Sequence, residues 1–481
     1  MLSTPTVYHS NDSGTRQRSA PDRLTINTLP DNVLLGIFRL HAGTLERWHT
    51  LVCVCQRWRD VVLASAQHLN LRLLCTENAP AGEMIDARPI LPIIVKDGGE
   101  QAGNIVEALE HSDRVCEVSL ANLEIILWRR VVEIMSQGPF PQLTSLELGA
   151  NHETPAILTD AFLGGSAPRL QKLSLKNIPS PALPKLLLSA TDLVHLRLYD
   201  VPDSAYISPD AMVTCLSLLT SLETFHLGFR SPRPPPDPAS RHPPPLTRII
   251  LPGLTDFGFR GNSEYFDDLV AGVDVPLLDS LSVTFFNQLV FDRPQFSQLI
   301  SHAGKLSTLN QADILFHGDH VALRLSPRKG TDGREFVTLV IRSRDSFWQR
   351  SALAQLLCPP LPPLSTLERL DIFEDDSPRQ HCLDIENTQW LELLRPFIAV
   401  KHLYLSEELA PRIVPALQEL TGDGARELFP ALKSLSLEAR PPSGPIQEAI
   451  SKFIEKRRQS GHDIAVHHGD RGNWASIAEG Q

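Results

Sequence analysis

A six-residue hydrophobic pattern, L-x-x-L-x-L, recurs along most of the chain. Copies begin at positions 143, 170, 193, 222, 246, 278, 367, 400 and 432, and a looser copy begins at 115. Apart from the gap between 278 and 367, consecutive copies start 23 to 33 residues apart. The last two apolar residues of each copy are two positions apart, so they point to the same side of a β-strand. The pattern therefore predicts a series of short strands that each bury one side.

Apolar segments such as VVEIM, LPKLLL, MVTCLSLL and LELLRPFI lie between these copies. Their spacing favours helices or irregular turns on the other side of the strands. One such unit cannot bury its own apolar face, so neighbouring units have to stack. The expected fold is α/β, an irregular curved solenoid with a parallel sheet on its concave side. The pattern weakens between 284 and 366, which indicates irregular repeats or an insertion.

The first part of the chain has helical periodicity instead. In LTINTLPDNVLLGIFRL, Pro30 suits a helix start because its missing N–H would be unbonded there. Asp31 adds negative charge where the helix dipole favours it. The apolar side chains that follow fall on one side of the helix, and Gly43 marks a break. These side chains are Val33, Leu34, Ile37 and Phe38.

A second apolar stripe follows that break, with spacings of three and four residues typical of one helix face. It consists of Trp48, Leu51, Cys55, Trp58 and Val62. Two short helices give a core that is marginal on its own, so part of their surface should be shared with another protein. Cys53 and Cys55 are expected to be small packing residues, because neighbours two apart on a helix cannot chelate one ion together. Arg57 and Arg59 are expected to form a solvated edge.

Composition and charge exclude several classes of protein. The chain has 481 residues and a net charge of −11, which argues against a general nucleic-acid binder. Seven scattered cysteines without a CxxC pair indicate a reducing compartment. The polar N-terminus lacks the apolar stretch of a secretory signal, and no apolar run is long enough to cross a membrane. We therefore expect an intracellular protein of the cytoplasm or nucleus with no membrane partner.

The sequence offers little catalytic or cofactor chemistry. It has no GxSxG, HExxH, GxxxxGK[ST] or GxGxxG motif, and we expect no cofactor and no enzymatic activity. His317 and His320, in HGDH, are expected to be ordinary structural residues, and Asp375–Asp376 to be solvated. The proline-rich stretch at 231–245 is read as an exposed loop or, alternatively, as a polyproline ligand for an aromatic groove. EKRRQ near the C-terminus is read as a solvated helix end or, alternatively, as a localisation signal.

LPDNVLLGIF followed by LVCVCQRW resembles the F-box, with its Leu-Pro, Ile-Phe and Val-Cys-x-x-Trp elements. That resemblance implies a three-helix module whose apolar face binds the Skp adaptor of cullin–RING ubiquitin ligases. The linker between Ile-Phe and Val-Cys is slightly longer than is usual. The implied adaptor-binding residues are Leu29, Pro30, Val33, Leu34, Ile37, Phe38, Leu51, Val54, Cys55 and Trp58.

The continuation LTSLELGAN at 143 matches the leucine-rich repeat consensus, and the whole chain resembles fungal F-box proteins with leucine-rich-repeat-like tails. The resemblance implies a substrate-recognition subunit of an SCF-type ligase that binds an unknown substrate protein. The alternatives are a scaffold whose F-box acts outside ubiquitination and an enzyme on a solenoid. Residues flanking the buried pair should form the substrate face, chiefly Arg197, Tyr199, His226, Phe373 and Tyr404.

The expected organisation has four parts. Residues 1–22 form a disordered tail, 23–75 the F-box module, 76–445 the repeat region, and 446–481 a C-terminal helix followed by a polar tail.

Overall fold

The computed structural model divides the chain into two compact units, Met1–Leu74 and Cys75–Gln481. No helix among the described residues is both long and apolar enough to cross a bilayer. The predicted tail at 1–22 and almost all of the proline-rich stretch lie outside the described residues. The structure describes residues 26–41, 48–66, 68–75, 85, 91–97, 103–121, 123–150, 157–231, 248–286, 294–303, 306, 309–327, 337–342, 353–354, 362–374, 387–419, 428–438, 444–459 and 461–469.

The described residues of the first unit form three α-helices, preceded by a 3-10 turn at Ile26–Thr28. The carbonyl of Pro30 accepts the first helical hydrogen bond of the first helix, from the N–H of Leu34 at 3.1 Å. Phe38 is buried, and its ring centroid lies 4.8 Å from that of Trp58, which joins the first helix to the third. The helices are α1 (Asp31–His41), α2 (Trp48–Val52) and α3 (Gln56–Ala64).

The single helical stripe predicted from Trp48 to Val62 is wrong, because two helices share it. Cys55 has an extended backbone and is the N-cap of α3, where its sulfur accepts a hydrogen bond from the N–H of Trp58 at 3.5 Å. Apolar residues recur at helical spacing both before and after Cys55. Periodicity alone therefore did not reveal that a new helix begins there.

The second unit is a mixed α/β structure with a large, mostly parallel sheet. Strand β1 (Leu73–Cys75) spans the boundary between the units. The other strands are β2 (Ile93–Lys96), β3 (Val115–Leu120), β4 (Ser145–Gly149), β5 (Lys172–Lys176), β6 (His195–Val201), β7 (Thr224–Phe229), β8 (Ile249–Ile250), β9 (Asp256–Gly261), β10 (Val273–Asp274), β11 (Ser280–Phe286), β12 (Gln311–His317), β13 (His320–Ser326), β14 (Val337–Arg342), β15 (Arg369–Glu374), β16 (His402–Leu405), β17 (Ser434–Leu437) and β18 (Ala465–His468).

Helices follow most of these strands, as the segments between the pattern copies predicted. They are α4 (Gly103–Glu110), α5 (Ile125–Met135), α6 (Leu183–Ser189), α7 (Pro209–Leu216), α8 (Ser263–Ala271), α9 (Pro294–His302), α10 (Asn387–Leu394), α11 (Ala410–Glu419) and α12 (Pro445–Gln459). Short 3-10 helices lie at Phe162–Gly165, Asp203–Ala205 and Pro362–Thr366.

The main sheet follows the chain order from β2 to β7 and continues through β9 and β11. These strands are all parallel, with the paired leucines of successive copies in register. The leucines predicted to be buried are buried, as the alternation required. They are Leu146, Leu148, Leu173, Leu175, Leu196, Leu198, Leu435 and Leu437.

The weak region between 284 and 366 contains an insertion into the parallel order. The sheet runs β11-β14-β13-β12-β15, and β13 is antiparallel to both β12 and β14. The strands on either side keep the parallel direction, because β11 pairs with β14 and β12 with β15 in parallel. From β15 onward the order again follows the chain to β18.

Two sequence predictions fail at the level of particular strands. The copy at 246 was assigned to the main sheet, but Ile249–Ile250 pairs only with β10 in a separate two-stranded sheet. LTDFGF, starting at Leu254, supplies the main strand β9 instead, because its Phe257 and Phe259 take the buried positions. The C-terminal region was expected to be a helix and a polar tail, yet Ala465–His468 adds strand β18 beside β17.

Candidate functional site

One surface of interest is an exposed apolar row on α1, which we call the α1 stripe. It consists of Val33, Ile37 and Leu40, which are 42%, 39% and 89% exposed. Their spacings of four and three residues place them along one line on the helix. Val54, in the turn between α2 and α3, is 58% exposed. Exposed apolar side chains in a row, rather than singly, are typical of a protein-binding surface.

The neighbouring side of α1 forms part of the core of the first unit. Leu34 and Phe38 are fully buried there, next to the exposed Val33 and Ile37. The helix therefore has two apolar sides, and only one is covered. The predicted adaptor-binding residues divide into buried (Leu34, Phe38, Leu51), half-buried (Leu29, Cys55, Trp58) and exposed (Pro30, Val33, Ile37, Val54). Leu40 was missed, although it lies three residues after Ile37.

Two arginines of α3 connect the helices of the first unit, and one of them, Arg57, holds the start of α1. The Arg57 guanidinium donates from Nη2 to the carbonyl of Leu29 and to Oδ1 of Asp31, both at 2.6 Å. Arg59 donates from Nε to the carbonyl of Val52 at 3.1 Å. Arg59 is exposed and Arg57 partly exposed, as expected for a solvated edge, but each guanidinium also donates to a carbonyl across a turn or between helices. These contacts fix the position from which the α1 stripe is presented.

A second surface of interest lies on the main sheet, on the side opposite the buried leucines. It is a groove of about 570 Å³ over strands β4 to β11, which we call the sheet groove. Its wall includes Glu147, Ser174, Tyr199, His226 and Arg260. These side chains suit a partner with polar or charged groups, whereas the α1 stripe suits an apolar surface.

A row of three titratable side chains crosses β6, β7 and β9 at this groove. The hydroxyl of Tyr199 lies 2.9 Å from Nδ1 of His226, and Nε2 of His226 lies 2.9 Å from Oδ2 of Asp256. Gly258 leaves space for the imidazole, since a Cβ there would lie 2.9 Å from the His226 ring. The row is therefore built across three strands around one glycine.

The electrostatics of the row assign its protons. Burial opposes ionisation of Asp256, but hydrogen bonds from His226 and Ser280 outweigh it and lower the pKa of the carboxyl. The carboxylate therefore accepts from Nε2–H, which leaves Nδ1 to accept from the Tyr199 hydroxyl. Burial raises the pKa of Tyr199, against the lowering effect of Arg197. Tyr199 thus remains a neutral phenol at neutral pH, oriented by His226.

Arginine side chains flank this row. Arg197 is exposed on β6, between the buried Leu196 and Leu198. Arg260 donates to Oδ1 of Asp200 at 3.0 Å, and its guanidinium lies 5.4 Å from the ring centroid of Phe286. The row is thus flanked by Arg197, which forms no ion pair among the described residues, and by the anchored guanidinium of Arg260, both suited to planar acidic or aromatic groups.

The predicted substrate face is only partly brought together. Arg197, Tyr199 and His226 are neighbours on β6 and β7. Phe373 and Tyr404 lie on β15 and β16, and β15 is seven strand positions from β6, roughly 34 Å along the sheet. Tyr404 is only 2% exposed, so the expectation that its side chain is open to a substrate is wrong. Phe373 is half-buried.

A third cluster lies outside both surfaces, at the turn between β12 and β13. His317, Asp319 and His320 are a group among the described residues whose ligand atoms could hold a metal ion. Hydrogen bonds from His320 lower the pKa of Asp319 to about 2, against a smaller opposing effect of burial, and His317 adds to the lowering. The sequence reading of HGDH overlooked Asp319 as a possible ligand.

Comparisons with known proteins add no identification. A scan of protein-family models and a search of curated proteins both give no match to the chain. Any functional assignment therefore depends on the residues and geometry described above.

Proposed function

We propose that this chain is the substrate-recognition subunit of an SCF-type cullin–RING ubiquitin ligase. In this proposal the first unit is an F-box that binds a Skp-family adaptor, and the second is a leucine-rich-repeat solenoid that holds a substrate protein. The observation that carries the proposal is the α1 stripe, since Val33, Ile37 and Leu40 remain exposed while Leu34 and Phe38 form the core. The complex would act in the cytoplasm or nucleus.

The size of the α1 stripe supports binding to a stable partner. Burying one large apolar side chain contributes roughly 1.5–3 kcal/mol. Three such side chains lie on α1, and Val54 of the same unit is also exposed. Such exposed apolar side chains provide the apolar centre that protein interfaces require. Arg57 holds the start of α1 in place, so little ordering would be needed on binding.

The sheet groove is the proposed substrate site. Tyrosine and arginine dominate many interfaces, and Arg197 and Tyr199 are both exposed on one strand. Tyr199 is oriented by its hydrogen bond to His226, which reduces the entropy lost when a partner binds. Phe373 and Tyr404 are not part of this site in the proposal, because they lie on distant strands.

The chain itself would carry out no bond chemistry in this proposal. Its contribution would be to raise the local concentration of the substrate near a charged ubiquitin carrier. The Tyr199–His226–Asp256 row is the feature that an enzymatic alternative would use. The raised pKa of the Tyr199 phenol weighs against that alternative, because a phenol that keeps its proton is a poor nucleophile at neutral pH.

The remaining alternative is a scaffold whose F-box acts outside ubiquitination. It predicts adaptor binding without a cullin in the complex. Copurification of the full chain with both adaptor and cullin separates this alternative from the ligase proposal.

The test of the proposal is copurification of a Skp-family adaptor with the full chain and with the double variant Val33→Asp, Ile37→Asp. Both side chains are exposed, so the variant should fold, whereas two buried carboxylates should weaken adaptor binding by at least about a hundredfold. Ile126→Asp is the matched control, because Ile126 is an exposed apolar residue of α5 in the other unit. Equal adaptor recovery with all three proteins would refute the F-box assignment.

The substrate site has its own test. The double variant Arg197→Ala, Tyr199→Ala should lose captured substrates, collected after proteasome inhibition, and keep full adaptor binding. If the captured proteins match those of the parent, the sheet groove is not the substrate site. The proline-rich stretch at 231–245 would then be the next region to test.

A further inference from the structure

The turn between β12 and β13 brings two histidines together. His317 ends β12, His320 begins β13, and the two are directly paired across the antiparallel strands. Their imidazole ring centroids lie 4.7 Å apart with an interplanar angle of 31°. Side chains of directly paired residues lie on the same side of a sheet, so both rings face one space.

Asp319, in the turn itself, completes the cluster. Its Oδ1 lies 2.7 Å from Nδ1 of His317 and 2.7 Å from Nδ1 of His320. The three potential ligand atoms all lie within 4.8 Å of one another. A single carboxylate oxygen thus contacts both ring nitrogens, and small shifts would allow all three atoms to surround one ion.

We infer that His317, Asp319 and His320 form a binding site for a borderline divalent cation, with Zn²⁺ the first candidate. Imidazole nitrogen together with one carboxylate suits Zn²⁺ and its late transition-metal neighbours. Ca²⁺ and Mg²⁺ require a shell of mostly oxygen ligands, which this cluster does not offer. Three protein ligands with an open fourth position is a known zinc arrangement.

Binding requires a rearrangement of protons on the two rings. A carboxylate only accepts, so the contacts with Asp319 place a proton on each Nδ1. The ion needs the Nδ1 lone pairs, so each neutral ring must move its proton to Nε2. The ion then replaces the two N–H···O contacts.

The surroundings set limits on affinity. All three side chains are partly exposed, which gives an ion access from solvent. Arg342 pairs with His320 across β13 and β14, so its positive charge lies on the same side of the sheet and opposes the cation. We therefore expect a site of moderate affinity that fixes the turn of the inserted hairpin and stabilises the folded state by mass action.

The test uses the full chain, stripped of metal by a chelator and titrated with Zn²⁺ against a chromophoric indicator. Free cysteines are alkylated under native conditions in all samples, because exposed thiols also bind zinc. The parent should bind one more equivalent than His320→Ala and Asp319→Asn, or bind it at least about tenfold more tightly. His462→Ala is the matched control, since His462 is an exposed histidine outside the cluster.

The second readout is the thermal midpoint of unfolding, and it uses two cluster variants so that the test still decides if one of them fails to fold. Zn²⁺ should raise the thermal midpoint of the parent and of His462→Ala but not that of either cluster variant. Asp319 is more than half exposed, so Asp319→Asn should fold even if His320→Ala does not. Identical stoichiometry, affinity and thermal shift for the parent and Asp319→Asn would overturn the proposal.

Discussion

Strands β6 and β7 leave the polar side chains between their buried residues accessible, whereas β15 and β16 bury theirs. On β6, Arg197 and Tyr199 are exposed on either side of the buried Leu198. At the corresponding positions, Asp371 of β15 is 1% exposed, and Tyr404 of β16 is buried beside it in register. Both regions carry the same six-residue pattern and the same parallel pairing.

The difference shows that the alternation of apolar and polar residues determines to which side of a strand a side chain points. It does not determine whether other residues cover that side. In β15 the buried charge of Asp371 is matched by Arg369, whose Nε and Nη2 donate to its two carboxylate oxygens at 2.9 and 3.1 Å. In β6 and β7 the polar groups bond sideways to one another and still face solvent. A binding surface is therefore better sought on β6 and β7.

The largest expected effect is the difference in stability between alanine variants of Arg369 and Arg197. Arg369→Ala should destabilise the second unit by about 3–5 kcal/mol, because it removes the bidentate partner of a buried carboxylate. Arg197→Ala, on the exposed strand, should change the free energy of unfolding by less than about 0.5 kcal/mol. Urea denaturation of both variants measures this, and equal losses would remove the distinction between the two regions.

A smaller effect is expected at the glycine beneath the His226 ring. Gly258→Ala places a methyl group 2.9 Å from the imidazole and should cost about 1–3 kcal/mol, since the ring is held by two hydrogen bonds. Gly138→Ala is the matched control, because nothing lies within 4 Å of a Cβ there. If the two substitutions have the same effect on the thermal midpoint, the row does not constrain the groove.

Removal of the Tyr199 hydroxyl should have a still smaller effect on stability. Tyr199→Phe keeps the ring and loses one hydrogen bond to His226, which is worth about 1 kcal/mol or less at a partly exposed site. Substrate capture should weaken more than folding does, because the ring loses its fixed orientation. Capture by Tyr199→Phe that equals the parent's would separate the row from recognition.

The smallest predicted effect concerns a position at which the two regions agree. His195 of β6 and His402 of β16 bond through Nδ1 to Thr224 and Ser434 of the next strand, at 3.1 and 2.8 Å. Burial is the main cause of a lowered pKa in both, and neighbouring cations add to it. Both regions therefore contain a histidine with a lowered pKa that contacts the next strand, although their other polar side chains differ in exposure.

The sign of the pH effect follows from those lowered pKa values. The unfolded chain, with histidine pKa near 6.5, takes up protons before the folded chain does. The stability is thus fully present above about pH 6.5 and declines as the pH falls through the window between the unfolded and folded values. Each of His195→Gln and His402→Gln should flatten this decline, measured as unfolding free energy against pH. A slope unchanged by both would contradict the assignment.

The sequence predicted the buried leucine pairs and the parallel order because both depend on local alternation repeated many times. It did not distinguish the copy at 246 from the strand at Leu254, since both present apolar residues at the required spacing. Nor did it predict β18, because HDIAVHH is largely polar and its pairing depends on the edge offered by β17. Long-range packing decides such cases.

The candidate sites also combine features that the sequence predicted with features that depend on long-range packing. Helical spacing identified Val33 and Ile37 but could not say which side of α1 is covered, and so it grouped them with Leu34 and Phe38. In EKRRQ, Arg457 is buried and its Nη2 donates to the carbonyl of Phe429 at 2.8 Å, whereas the other four residues are exposed, as a solvated helix end requires. The cluster at His317 required the pairing of two strands that the weak pattern in that region did not predict.

The most direct test of the central claim is hydroxyl-radical footprinting of the full chain with and without a purified Skp-family adaptor. Saturating adaptor should reduce oxidation of Leu40 and Ile37 several-fold, because these exposed side chains would enter the interface. Oxidation of Ile126 and of Tyr199 should stay unchanged. Unchanged oxidation of Leu40 at saturating adaptor, or protection confined to the sheet groove, would contradict the account.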